Sequence, residues 1–190
     1  MRHLNIAFLF ILMFFSFLLG CAPDRMNIKD TQSYLRNDKN GICKVIQKNG
    51  LRLEAFILRP ELVFNTTTKK NTQDSLRYFL LSFSKDGKEA LPQVANPNQY
   101  ANILNNLSFN VAQYCRVIEN GRDTLNVNNS SFLNTYGTSA SNSLLVVFHS
   151  SNPLTECTLE LDEIGFGIGQ HKMEFKKKDI EKFYNIEITQ

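Results

Sequence analysis

The sequence predicts an all-β domain, and three observations carry that expectation. About eight or nine short apolar runs have strand length, some alternating with polar residues and some continuous. Turn residues, including two Asn-Gly pairs, separate these runs at intervals of about ten to fifteen residues. Only one stretch, residues 96–107, shows helical spacing.

The elements follow in order from Gly41. "ICKVIQK" (42–48) and "LRLEAFIL" (51–58) flank Asn49-Gly50, a pair that accepts the positive φ angles of a tight hairpin. "RYFLLSF" (77–83) is apolar on both sides and ends in the turn "KDGK" (85–88). "NPNQYANILNNL" (96–107) spaces Tyr100, Ile103, Leu104 and Leu107 as a helix does. "SFNVAQYCRVI" (108–118) reads as a strand, and "ENGR" (119–122) turns it into "DTLNV" (123–127). "SLLVVFH" (143–149) is apolar on both faces and predicts a central strand. In "CTLELDE" (157–163), Cys157, Leu159 and Leu161 share one side, with Thr158, Glu160 and Asp162 on the other. "KMEFK" (172–176) and "YNIEIT" (184–189) close the chain as strands, and "KKKDIEK" (176–182) between them reads as a solvated charge run, with attraction to anionic lipid headgroups as the competing reading that Asp179 and Glu181 weaken. Such a series points to an immunoglobulin-like β-sandwich of about eight or nine short antiparallel strands, with a lipocalin-like β-barrel as the alternative. The chain contains no Trp, so the Cys…Trp…Cys spacing of true immunoglobulin domains is missing. Two long loops, 60–76 and 128–143, are rich in Asn, Ser and Thr.

The first twenty residues have a different character. Arg2 is followed by an apolar core from Leu4 to Leu19, broken only by Asn5 and Ser16. A core of that length covers roughly 24 Å as a helix, against ~30 Å of bilayer hydrocarbon, and Pro23 stops it. A basic start, a short apolar core and a small residue at the end describe a signal peptide. Its ending, Leu18-Leu19-Gly20-Cys21, resembles the lipobox of bacterial lipoproteins, with Leu19 less usual at its position than a small residue. That resemblance covers residues 1–21. It implies cleavage before Cys21, lipidation of the Cys21 sulfur and acylation of the new amine, which together tie the protein to a membrane. The residues after Cys21, "APDR", carry no acidic cluster, which favours the periplasmic side of the outer membrane within the cell envelope. The domain plan is then a signal peptide at 1–20, a polar tether at 21–40, and a single β-sandwich domain at 41–190.

Without residues 1–20 the chain holds 20 basic and 18 acidic side chains, a net charge of +2 that is too weak to suggest a nucleic-acid partner, and none is expected. The distribution is uneven: residues 29–88 carry net +6 and residues 89–171 net −5. Three cysteines remain besides Cys21. An envelope compartment permits disulfides, and Cys115 and Cys157 are the pair that a bridge would join; a buried, reduced pair is the competing reading. No spacing of Cys or His predicts a metal site, and Asp162 and Glu163 match no calcium loop.

Catalytic signals are sparse. His149 ends an apolar strand and His171 follows "GFGIGQ", and neither lies in a nucleophile–base motif. "DEIGFGIGQ" (162–170) places Gly165, Gly167 and Gly169 on alternate positions, but a strand rather than a helix follows, so no dinucleotide site and no other cofactor is expected. Its Phe166 and Ile168 either turn inward as plugs or form the tip of a contact loop. The expected role is therefore a non-catalytic binding or assembly module, anchored through Cys21, for an envelope protein or a glycan. An envelope enzyme or enzyme inhibitor acting on peptidoglycan or polysaccharide is the alternative, and a lipid-carrying barrel is the third.

Overall fold

A computed structural model describes residues 25–64 and 75–189. The signal peptide, the lipobox with Cys21, and the part of the first long loop at 65–74 lie outside the described residues. In chain order the strands are β1 (Arg25–Asn27), β2 (Cys43–Lys48), β3 (Leu51–Leu58), β4 (Leu76–Lys85), β5 (Lys88–Glu89) and β6 (Cys115–Glu119). Then come β7 (Asp123–Leu133), β8 (Asn142–His149), β9 (Cys157–Leu161), β10 (His171–Phe175) and β11 (Glu187–Thr189). Eight of them form one antiparallel path, β10-β9-β6-β7-β8-β4-β3-β2, with β5 attached to β4. The path curls until its two edges face each other, giving a nearly closed, barrel-like sheet.

The edges meet without a backbone ladder among the described residues. Side chains span the seam instead: the Lys44 ammonium lies 5.5 Å from the Phe175 ring centre, and Lys48 Nζ donates to the Ile168 carbonyl at 3.0 Å. The barrel-like alternative describes the sheet better than the expected immunoglobulin-like sandwich, because β10 through β2 form one unbroken run of pairing and not two facing sheets. A bulge between Val127 and Asn129 in β7 adds the local twist that lets the sheet curl. All-β character and a barrel-like closure are what the strand signals deliver.

Alternation decides what fills the barrel. Leu53, Ile57, Phe79, Leu81, Phe83, Val117, Leu144, Val146, Phe148 and Leu159 all point inward with no exposed surface. Phe79 meets Phe148 edge-on at 5.8 Å and Phe175 at 5.5 Å. On the outside, Lys172, Glu160 and Arg116 stand in register across β10, β9 and β6. Glu160 accepts from Lys172 at 2.6 Å and from Arg116 at 2.7 Å, and Arg116 also reaches Asp162 at 3.2 Å. Cross-strand charge pairs of this kind pin the register. The turns match expectation: Asn49-Gly50, Asp86-Gly87 and Asn120-Gly121 all have positive φ at both residues.

Among the described residues five α-helices occur where one was expected: α1 (Ile28–Arg36), α2 (Pro60–Phe64), α3 (Pro97–Phe109), α4 (Val111–Tyr114) and α5 (Lys177–Asn185). The predicted helix at 96–107 is α3. The tether expected through residue 40 is corrected, since from Arg25 onward the chain belongs to the fold. Asn27 caps α1 by accepting from the Asp30 N–H at 2.8 Å, and Tyr34 of α1 stacks on Phe183 of α5 at 5.8 Å. β1 meanwhile pairs in parallel with β11. The charge run at 176–182 keeps its lysines exposed as expected, but it lies on a helix, and Ile180 with Phe183 and Tyr184 buries one stripe of α5 in the barrel end. Residues 108–118 are not a single strand, because Asn110 ends α3 and a turn of α4 intervenes before β6.

The barrel thus has two closed poles. At one, α5 seals the interior, and Arg59 donates to the carbonyls of Phe183 (3.3 Å) and Ile186 (2.5 Å) at the helix C-terminus. Nearby, Arg77 and Glu119 form a fully buried pair at 2.8 Å, and Ser150 Oγ donates to the same carboxylate at 2.5 Å. At the other pole, α3 and the glycine loop 162–170 cover the opening with Ile103, Leu107, Ile164 and Ile168. Among the described residues no helix is long and apolar enough to cross a membrane.

Candidate functional site

At the glycine-loop pole the alternate glycines have a specific partner. Glu163 turns back into its own loop and accepts from the backbone N–H groups of Gly165 (2.6 Å), Gly167 (2.8 Å) and Gly169 (2.5 Å). The loop is an anion nest filled by its own carboxylate. Burial alone would raise the Glu163 pKa. The N–H groups of Gly169, Gly167 and Gly165 outweigh that effect and hold it below the ordinary carboxylate value. Gly165 also lies so close to α3 that a Cβ there would sit 2.6 Å from Ile103 Cγ1.

Helix α3 is clamped to this loop by amides. Asn106 Nδ2 donates to the Ile164 carbonyl at 3.0 Å, and Gln99 Nε2 donates to the Gly165 carbonyl at 2.8 Å. Asn96 caps the helix, its side chain accepting from the N–H groups of Asn98 (2.9 Å) and Gln99 (3.2 Å), with Pro97 at the first helical position. Between helix and loop lies an open cleft of about 420 Å³. Asn96, Asn98, Gln99, Asn102 and Asn106 line it on one side, Glu163 and Gly165 on the other, with Ile103 and Ile164 forming its floor.

The chemistry of this cleft is that of neutral amides. Asn98 and Asn102 are exposed and make no side-chain hydrogen bond among the described residues, so each can still donate and accept. Glu163, the one carboxylate in the lining, has three strong donors already committed to it. The arrangement offers hydrogen-bond donors and acceptors, and the carboxylate in its lining is already bonded to three backbone N–H groups.

A second polar network stiffens the same pole. Glu89 is buried and accepts from Thr135 Oγ1, Gly137 N (2.9 Å), Ser139 N (3.1 Å) and Asn142 Nδ2 (3.0 Å). Part of the Ser/Thr/Asn-rich stretch at 128–143 is therefore wrapped around a carboxylate, while its first residues belong to β7. That part of the expected long loop is strand.

The other sequence candidates fall elsewhere. Phe166 and Ile168 are plugs and not a contact tip: Ile168 is buried, and Phe166 stacks on Phe83 at 5.3 Å. Cys115 and Cys157 are free thiols, and the bridge between them is corrected. They lie on adjacent strands, but Cys115 faces Leu161 while Cys157 faces Glu119, so they stand four residues apart in register. That is roughly 13 Å along a strand, beyond the ~7 Å that a disulfide spans. Burial pushes the Cys115 thiol up to about 12 and those of Cys43 and Cys157 up to about 11, so all three are protonated at neutral pH. His149 is exposed at the end of β8, and a ring nitrogen of His171 lies 3.0 Å from the Ile168 carbonyl. Among the described residues no group of three or more His, Cys, Asp or Glu is placed to hold a metal ion.

The cleft itself escaped the sequence reading. Its signal was present in the Asn residues at 98, 102 and 106, which a helix brings onto one stripe, next to Gln99. No protein-family model matches the chain, and no curated protein or solved structure shows significant similarity to it.

Proposed function

We propose that the chain is a lipid-anchored cell-envelope protein and a non-catalytic binding or assembly module for a protein or glycan partner, with the cleft between α3 and the glycine loop as its contact. The observation that carries this reading is a preorganised row of amides in which Asn98 and Asn102 are unspent. Two clamps, Asn106 to Ile164 and Gln99 to Gly165, hold the cleft walls together, so a ligand would meet donors and acceptors already in place. Uncharged groups that both donate and accept suit the hydroxyls of a glycan and the backbone of a peptide. An enzyme acting on peptidoglycan or polysaccharide would need a free carboxylate at the cleft, and the lone pairs of Glu163 are directed at glycine N–H groups. The filled interior argues that the barrel is scaffold rather than a lipid-carrying cup. Cys21 supplies the anchor, on the periplasmic side of the outer membrane.

The test is a double substitution, Asn98→Ala with Asn102→Ala, in a C-terminally tagged protein expressed in its native host. Cells are crosslinked, the envelope is solubilised in mild detergent, and co-purifying proteins and glycans are identified. The expected result is a stoichiometric partner with the unsubstituted protein and at least a tenfold loss with the variant, whose abundance and melting temperature are unchanged. Equal recovery from both would contradict the cleft as the contact.

A further inference from the structure

We infer that the pole built from α1 and α5 rests on anionic lipid headgroups, so that the amide cleft at the opposite pole faces away from the membrane. The inference deepens the proposed function and rests on its reading of Cys21 as the lipidated residue. The first described residue, Arg25, lies only four residues beyond Cys21 and is already paired through β1 with β11. Four residues reach at most about 14 Å when fully extended. The folded body is therefore held against the bilayer surface by the end at which β1 enters it.

That end is basic. Helix α1 exposes Lys29 and Arg36 seven residues apart on one stripe, and α5 exposes Lys178 and Lys182 four apart on one stripe, with Lys39 and Lys176 at their flanks. None of these six has a carboxylate within salt-bridge distance among the described residues. Two acids of the same elements are paired, Glu187 with Arg25 at 2.8 Å and Glu181 with Lys177 at 3.7 Å, while Asp179 is half-buried beside Gly41 with no cation at salt-bridge distance among the described residues. Asp30, Asp38 and Glu174 remain exposed and without an ion-pair partner there among the described residues, fewer than the six free cations. An excess of free cations facing a nearby anionic surface is drawn to it within a Debye length.

The poles are opposite by topology. Strand β2 runs from Cys43, near the Gly41–Asp179 contact, to Lys48, which bonds the glycine loop at Ile168. Strand β10 runs the other way, from His171 beside that loop to Phe175 at the start of α5. A chain that docks through α5 thus presents Asn98 and Asn102 outward.

Vesicle binding tests this directly. The chain from residue 21, carrying Cys21→Ser so that no lipid contributes, is sedimented with phosphatidylcholine vesicles with and without about 30 mol % phosphatidylglycerol. Expected is binding at least tenfold stronger to the anionic vesicles, abolished at about 0.5 M salt. A Lys176→Glu, Lys178→Glu, Lys182→Glu variant should lose at least tenfold, and Lys85→Glu with Lys88→Glu, at the other pole, should change binding less than twofold, with melting temperatures checked for each. Equal binding to both vesicles, an unaffected triple variant, or an equally damaging control pair overturns the inference. Whether Cys21 is lipidated is read separately, from the mass of the protein isolated from its host. A lipidated chain whose soluble form ignores anionic vesicles leaves the anchor standing and removes the orientation; an unmodified Cys21 removes both.

Discussion

Glu163 shows how much one side chain organises. Replacing it with Gln keeps the size but removes the charge that three glycine N–H groups converge on. Hydrogen bonds to charged groups contribute about 1.5–3 kcal/mol, so Glu163→Gln should lower stability by about 2 kcal/mol at neutral pH in a denaturant titration. The pH dependence follows from the direction of the shift. A carboxylate whose folded pKa is depressed stabilises the protein above its unfolded value of about 4.3, and the contribution is lost as pH falls through the lower folded value. Glu160, depressed by its bond to Lys172 and then by Arg116 against the opposing effect of burial, acts in the same direction. Below about pH 4.5, therefore, the unsubstituted protein should lose stability more steeply than Glu163→Gln, and parallel curves would contradict the nest. The buried thiols make a second expectation. Cys43, Cys115 and Cys157 should react with a thiol reagent only after unfolding, and rapid labelling of the native protein would refute their burial. Alternate glycines at 165, 167 and 169 were visible in the sequence, and so was Glu163. What the sequence did not reveal is that they are one unit, because a carboxylate reaching its own loop depends on how the chain bends.

Among the elements, strands and turns were legible while the terminal helices were not. Alternation in "CTLELDE" and the three positive-φ turns specify β9 and the hairpins locally, and the structure places each as expected. Helix α5 hides in "KKKDIEKFYN" because four cations dominate its appearance, although Ile180, Phe183 and Tyr184 carry the helical spacing. The sequence favoured the sandwich over the barrel for a related reason: closure depends on the pairing of β6 with β9 and of β4 with β8, which no local pattern encodes. Burial makes α5 part of the core and not an appendage. Ile180→Ala should therefore cost about 2–4 kcal/mol by denaturation, the range for deleting a buried aliphatic side chain; a cost under ~0.5 kcal/mol would mean the helix is peripheral. At the same pole, Glu119→Ala strands the Arg77 guanidinium in a dry interior and should cost about 3–5 kcal/mol.

As a whole molecule the barrel is a spacer between two different ends. The positive half of the sequence supplies α1 and β2 to β4, and the negative half supplies β6 to β9, so the charge blocks seen in one dimension stay apart in the folded chain. The folded body begins within about 14 Å of Cys21 by chain length, so the proposed lipid anchor would constrain its orientation even before any headgroup contact. Under the proposed function, activity depends on what meets the pole carrying the amide cleft. The most direct measurement places a photo-crosslinking amino acid at position 102 in the cleft and, separately, at position 124 on the exposed start of β7, in the native host. Irradiation of living cells should give a discrete adduct from position 102, identified by mass or shifted by glycan-degrading enzymes, and none from position 124. The same adducts from both positions, or a discrete adduct from position 124 alone, would contradict the cleft as the working surface of this protein.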